Sequence, residues 1–247
     1  MSFLIVARQI KNILRSQPEA KYHTIINKYK LRNIPYNLLI KYASQGYNQK
    51  VCWKCGIERK NFSDIFCSQC NVIQMPSERD NYFKLFDIDE QFDIDSKILK
   101  DKYKNLQNNL HPDRFINRTE EEKKISENYS SLVNKAYKCL ATPLKRAEHL
   151  LKLSGSSIEE KQSSVDPGFL MEMMELNEEL DNNVEPEQLR QLNIKNKNEL
   201  ERLAQSIDEC FKHQNLDEAK QFVIKMQYYT SLGNRINAKL RELGVVD

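Results

Sequence analysis

The sequence predicts a mainly α-helical protein in three parts: a small tetracysteine zinc module, a helical hairpin with short flanking helices, and a C-terminal three-helix bundle. Three observations predict it. Only 6 Gly and 7 Pro occur in 247 residues, too few for a fold rich in turns. Apolar residues recur at steps of three and four over long stretches, the period of helices with one buried face. Two C-x-x-C pairs, Cys52 with Cys55 and Cys67 with Cys70, fall close together ahead of the helical region.

Hydrophobic residues make up 40% of the chain, enough for real cores. No run of about eighteen apolar residues occurs, so no membrane span is expected. The formal charge of +3 is too small for wholesale nucleic-acid binding. Its distribution is uneven: residues 1–50 contain Glu19 as their single acid among many Lys and Arg. Arg8, Lys11 and Arg15 among Phe3, Ile5, Val6, Ile10, Ile13 and Leu14 fit a mitochondrial presequence, with an ordinary surface helix as the alternative. Residues 17–50 then read as a basic linker. Tyr and Lys interleave there, but no sheet platform is evident on which bases would stack.

Residues 51–76 form the metal segment. Two C-x-x-C knuckles can place four thiolates tetrahedrally around one zinc ion, and Gly56 eases the turn after the second cysteine. Four protein ligands leave no position for an activated water, so the expected zinc is structural. Two disulfides would need an oxidising compartment, and a sulfur tetrahedron also accepts iron. A segment this small should need its metal to fold. Trp53 and Lys54 are its candidate contact residues, for protein or nucleic acid. Cys139 and Cys210 fall on helical apolar positions and read as buried small hydrophobes.

Residues 80–153 form the second part. Asn81–Phe86 reads as a short helix, and Ser96 is the expected N-cap of the next. Leu99, Tyr103, Leu106 and Leu110 make one stripe; Ile125, Tyr129, Leu132, Ala136 and Leu140 make another, so two helices should pair antiparallel. Pro112 disfavours helix at the residue before it, which puts His111, Pro112 and Asp113 on the connecting loop. Lys97, Lys100 and Lys104 lie within about 60° of one another, opposite the first stripe. Thr119 with Glu122 forms a capping box, and Thr142 with Pro143 opens a further helix, Leu144–Leu151. An exposed loop supplies neither the partner nor the dry pocket that acid–base catalysis requires, so no enzyme is expected here.

This part resembles the J-domain, a helix hairpin with His-Pro-Asp in its loop and a basic face on its first long helix. The resemblance implies that His111, Pro112 and Asp113, with Lys97, Lys100 and Lys104, dock on an ATP-driven heat-shock chaperone of the seventy-kilodalton class and stimulate its ATP hydrolysis. The stretch from Thr142 to Leu151 is similar to the segment closing the J-domain of HscB-type co-chaperones of iron–sulfur cluster assembly, with His149 where Tyr is the more familiar residue. A cysteine-knuckle module ahead of it looks like the eukaryotic, mitochondrial form. The implied location is the mitochondrial matrix, with a cytosolic pool allowed.

Residues 166–244 carry three expected helices, Pro167–Asp181, Pro186–Phe211 and Leu216–Leu243. The third has Ala219, Phe222, Met226, Tyr229, Gly233, Ile236, Leu240 and Leu243 at alternating steps of three and four, a heptad seam. Leu189, Leu192, Leu200, Leu203, Ile207 and Cys210 give the second a matching stripe. On the first helix, Phe169, Met173, Leu176 and Leu180 account for the core, which leaves Leu170, Met171 and Met174 on a second patch. Ile224, Tyr228 and Leu232 lie off the seam of the third helix. Such patches imply either a partner or a contact with the hairpin domain.

Phe169-Leu170-Met171-Glu172 matches the HscB-type motif that grips the iron–sulfur scaffold protein. The resemblance implies scaffold binding by Leu170, Met171, Met174, Glu175 and Tyr228. Asn177 stands where a basic residue is often found. The implied partners are the mitochondrial chaperone ATPase and the scaffold, with cluster-accepting proteins beyond them and neither nucleic acid nor membrane. A J-protein serving other clients and a zinc-ribbon nucleic-acid binder are the alternatives.

Overall fold

The computed structural model describes residues 51–61, 63–156, 166–182 and 185–244. The expected presequence and linker, residues 1–50, lie outside them. The chain divides between Ser77 and Glu78 into two compact units.

In the first unit, each cysteine pair sits in a tight backbone knuckle. Cys52 N–H donates to the Ile57 carbonyl (2.8 Å) and Gly56 N–H to that of Cys52 (3.0 Å); Cys67, Val72 and Asn71 repeat the pattern at 2.9 and 3.0 Å. Gly56 and Asn71 occupy equivalent left-handed positions, φ +72° and +51°. Gly adopts this region freely and Asn tolerates it, so the second knuckle does without a glycine. Isolated antiparallel bridges, Val51 with Glu58 and Phe66 with Ile73, close the two turns.

The second unit contains seven helices among the described residues: α1 (Tyr82–Leu85), α2 (Ser96–Leu110), α3 (Glu120–Ala141), α4 (Pro143–Leu153), α5 (Pro167–Asp181), α6 (Pro186–Lys212) and α7 (Leu216–Glu242), with a 3-10 turn at Pro112–Phe115. The N-cap of α2 is Asp95 rather than Ser96: its carboxylate accepts from Lys97 N (2.7 Å) and Ile98 N (3.2 Å). A carboxylate at this position also meets the positive end of the helix dipole, an advantage a hydroxyl lacks. The Thr119–Glu122 capping box is present in both directions. Thr142 does not cap α4; its hydroxyl donates back to the Lys138 carbonyl at 2.9 Å, closing the preceding turn instead.

α2 and α3 pair as the hairpin, with Leu99, Leu110, Ile125, Tyr129, Ala136 and Leu140 buried. Val133, fully buried, takes the central place expected for Leu132, which is half-buried. Tyr103 and Leu106 are also half-buried because the middle of the seam is polar. Tyr103 donates to Asn134 Oδ1 (2.9 Å) and stacks on Tyr137, while Gln107 and Ser130 exchange hydrogen bonds. At one end, His149 on α4 is buried against Tyr82 (4.3 Å between ring centres) and Phe83 (5.8 Å). Its Nε2 accepts the Tyr82 N–H at 3.1 Å, satisfying a free donor at the start of α1.

α6 and α7 form a long antiparallel pair around Leu203, Ile207, Val223 and Ile236, each fully buried. A buried aliphatic side chain of this size contributes about 1.5–3 kcal/mol. Val223 displaces Phe222 from the seam, Leu243 lies outside it at 52% exposure, and Leu200 is half-buried. Two buried asparagines, Asn193 and Asn196, fill the gap in the α6 stripe. Gly233 is what admits Asn196, since a Cβ there would sit 2.7 Å from its Nδ2. Cys210 is buried as expected, but Cys139 is only half-buried, its thiol donating to the Lys145 carbonyl at 3.3 Å.

Candidate functional sites

The tripeptide turn is built from below. α2 stops at Leu110 because the residue before Pro112 is extended: His111 has ψ 132°. The Leu110 carbonyl then accepts from Ser126 Oγ of α3 (2.8 Å), which fastens both helices beneath the turn. Phe115, 2% exposed, anchors the far side, and Arg114 ties back to Asn108 and Asn109. His111 Nδ1 lies 3.4 Å from both the Asp113 amide and Asp113 Oδ2. The two side chains are 61% and 78% exposed, so the tripeptide is held in shape yet open to solvent. A cavity of about 230 Å³ beside it is walled by Pro112, Phe115, Ile116, Lys123, Ser126 and Glu127, without His111 or Asp113. Lys97, Lys100 and Lys104 are all exposed on α2. Lys102 differs, reaching back to Asp87 at 3.1 Å.

A second site lies on α5 and α7. Asp166 caps α5 by accepting from Phe169 N (3.1 Å), and Pro167 opens its first turn. Phe169, Met173 and Leu180 are buried, with the Phe169 ring edge-on to Tyr228 at 5.5 Å. Tyr229 donates to Glu172 at 2.8 Å. Burial, together with that carboxylate, pushes the Tyr229 phenol well above its ordinary range. This inward anchoring leaves Met171 and Met174 outward at 66% and 64% exposure, beside Tyr228 at 39%. Glu175 is exposed and Leu170 half-buried.

Two expectations change here. Ile224 and Leu232 do not join Tyr228 on an open face: they are 5% and 2% exposed. α5 runs along that side of α7, with Arg235 bonded to Asn177 and to Asp181 (2.7 Å) and Lys239 bonded to the Leu180 carbonyl. Asn177 therefore meets a guanidinium supplied by α7, at the place where α5 lacks a basic residue.

The third site is the cysteine group, whose four sulfur atoms lie within 4.8 Å of one another. Cys52 and Cys70 sulfurs are 3.6 Å apart, Cys55 and Cys67 sulfurs 3.7 Å. A disulfide needs about 2.05 Å, and all four cysteines are free. An ion with bonds of about 2.3 Å to tetrahedral sulfurs has edges near 3.8 Å, so the donor set fits such a metal. Burial raises the Cys52 thiol, but the N–H groups of Cys55 and Lys54 and the neighbouring sulfurs outweigh it and bring it down to about 6. Burial pushes Cys70 up to about 12. Metal uptake by such a group releases protons.

Sequence reasoning missed the residues that join the hairpin to the bundle. Phe92, before α2, stacks on Phe211 of α6 (6.2 Å, 19°), and the Arg146 guanidinium lies 4.9 Å over Phe92. Gln227 of α7 donates to Glu148 of α4 at 2.7 Å. These contacts lie between the two helical parts, while Met171 and Met174 stay exposed. Arg146 was readable only as one charge in a charged helix.

The family described as "HSCB C-terminal oligomerisation domain" matches residues 165–237. The chain is 35% identical over 201 residues to the human "Iron-sulfur cluster co-chaperone protein HscB", covering 80% of this chain and 86% of that protein. It is 33% identical over 189 residues to the Arabidopsis thaliana homologue of that name, covering 76% and 74%. The crystal structure of human co-chaperone protein HscB aligns with TM-score 0.71 and 34% identity, over 76% of this chain and 98% of that one.

Proposed function

Because the chain belongs to the HscB family of iron–sulfur cluster co-chaperones, we propose that it delivers the cluster scaffold protein to a mitochondrial heat-shock chaperone and triggers that chaperone's ATPase. In this reading residues 80–153 are a J-domain that engages the ATPase through His111, Pro112 and Asp113, with Lys97, Lys100 and Lys104 steering the approach by charge. Residues 166–244 hold the scaffold through Leu170, Met171, Met174, Glu175 and Tyr228. Tethering both partners to one molecule raises their effective concentration. The chain itself is an activator rather than an enzyme.

The observation that carries this reading is the exposure of Met171 and Met174 on a helix whose opposite face is fully anchored, at 66% and 64%. Methionine is soft and adaptable, and an apolar patch left open beside a completed core is suited to a partner. The contact with the hairpin domain is made by other residues, which weighs against spending the patch internally.

Cys52, Cys55, Cys67 and Cys70 hold one zinc ion in this reading, which supplies folding energy to residues 51–76 and no chemistry. The arginine-bearing, nearly acid-free residues 1–16 support a matrix location, with residues 17–50 as linker.

Single-turnover ATP hydrolysis by the mitochondrial chaperone tests the proposal, with this protein or its His111→Gln variant, each with and without the scaffold. Stimulation that requires His111 and grows with scaffold supports both sites together. Stimulation indifferent to scaffold leaves a J-protein with another client, and none at all overturns the proposal.

A further inference from the structure

Gln74 is 1% exposed, yet it carries a polar amide into the heart of the metal module. Its Nε2 lies 3.3 Å from Cys52 Sγ, 2.9 Å from the Val72 carbonyl and 3.3 Å from the Ile73 carbonyl. The chemistry fixes which way the amide points. Turned over, its oxygen would face two carbonyl oxygens and a thiolate with no hydrogen between them. With the nitrogen inward there are two N–H groups for three acceptors. One N–H can serve the adjacent Val72 and Ile73 carbonyls, which leaves the other for the sulfur.

The internal repeat of the module sharpens the point. Cys52 and Cys67, Cys55 and Cys70, and Gly56 and Asn71 correspond across the two knuckles, and the same offset pairs Arg59 with Gln74. Both are buried, at 8% and 1%. The Arg59 guanidinium donates to the Asp64 carbonyl (2.8 Å), within its own loop. The Gln74 amide instead crosses to a sulfur of the opposite knuckle. Cys52 Sγ also receives the Lys54 N–H at 3.4 Å.

We propose that Gln74 is a positioning residue of the metal centre: its side-chain N–H holds the Cys52 sulfur in ligand orientation, withdraws charge from it, and thereby sets how slowly the metal leaves. A hydrogen bond to a ligand atom fixes the ligand's direction and tunes its donor strength. Four thiolates give a divalent ion a net charge of −2, so a neutral donor at the buried sulfur is where such relief counts most. This inference rests on the four cysteines binding a metal, and the test separates the two.

The test uses the full chain and its Gln74→Met variant, which keeps the bulk and removes the donor. Zinc transfer to a chromophoric chelator gives the release rate, and cobalt(II) substitution gives the sulfur-to-metal charge-transfer band. Trp53, the single tryptophan of the chain, donates its indole N–H to the Ile73 carbonyl at 2.6 Å, so its fluorescence reports folding of this module alone. The expected result is zinc release about 10–100-fold faster. The cobalt band should move to lower energy, with the metal-loaded Trp53 emission unchanged. A band that stays in place overturns the proposal even if release quickens, because a merely structural role loosens the site without altering the sulfur.

Should the variant fail to load, cadmium-113 coupling in the unsubstituted protein decides. Coupling from the metal to a Gln74 side-chain proton supports the assignment; coupling to the Lys54 N–H without one to Gln74 overturns it. Failure of the unsubstituted chain to take up zinc or cobalt sinks the metal reading itself.

Discussion

The cysteine module and the helical unit bury very different amounts of apolar side chain. The helical unit buries large side chains by the dozen, among them Phe83, Leu140, Leu151, Leu203 and Ile207. The module, residues 51–77, offers among its described residues Val72, Ile73 and two of its own four cysteines, and little else that is both apolar and buried. Apolar area of that size does not offset the conformational entropy of ordering the loop. The difference teaches that the helical unit has a core sufficient for its own fold, whereas residues 51–77 would depend on the proposed metal.

The largest expected effect separates them completely. Chelation, or Cys67→Ser, should abolish the folded Trp53 emission, since a structural zinc contributes on the order of 10 kcal/mol in small modules. The far-UV melting curve of the helices should stay where it was. If it moves too, the two units are not independent. The converse substitution is Leu203→Ala, at a fully buried position of α6, expected to cost the helical unit about 2–5 kcal/mol and leave Trp53 emission untouched.

Smaller effects act within the helical unit. Thr119→Ala removes one half of a reciprocal capping box and should cost about 1 kcal/mol in denaturant unfolding. His149 gives a pH signature. Burial, with Lys152 nearby, lowers its pKa below the ordinary 6.5, and the folded state needs Nε2 unprotonated to accept from Tyr82. The unfolded state thus binds the proton more readily. Its contribution is complete above pH 6.5 and is lost as pH falls below that value toward the depressed folded one. The loss should be no more than about 1 kcal/mol, the worth of one hydrogen bond, and His149→Phe should erase this part of the pH dependence.

The smallest effect on stability should accompany a large one on binding. Met171→Ser with Met174→Ser is expected to change unfolding by no more than about 0.5 kcal/mol. Scaffold association, measured by calorimetry, should be lost. Retained association would redirect the search to another surface.

Much of this architecture was legible in the sequence, and its gaps have physical causes. The cysteine spacing and the heptad step depend on one residue type or one period, so they read directly. Asp95 and Ser96 are both good caps, and only the helix start decides between them. Leu132 and Val133 are adjacent, and a small rotation of α3 exchanges them. Ile224 and Leu232 have the period of an open face but are buried, and burial by helices packed from elsewhere in the chain leaves no mark on the covered sequence. Gln74 follows Val72 and Ile73 and precedes Met75, and nothing in that stretch tells a buried glutamine from a surface one. Its role depends on a sulfur 22 residues away.

The stack of Arg146 on Phe92 on Phe211 has a geometric consequence. With Gln227 of α7 bonded to Glu148 of α4, it joins hairpin and bundle at two points. Any change in the offset between the tripeptide turn and the methionine patch must therefore strain or break these contacts.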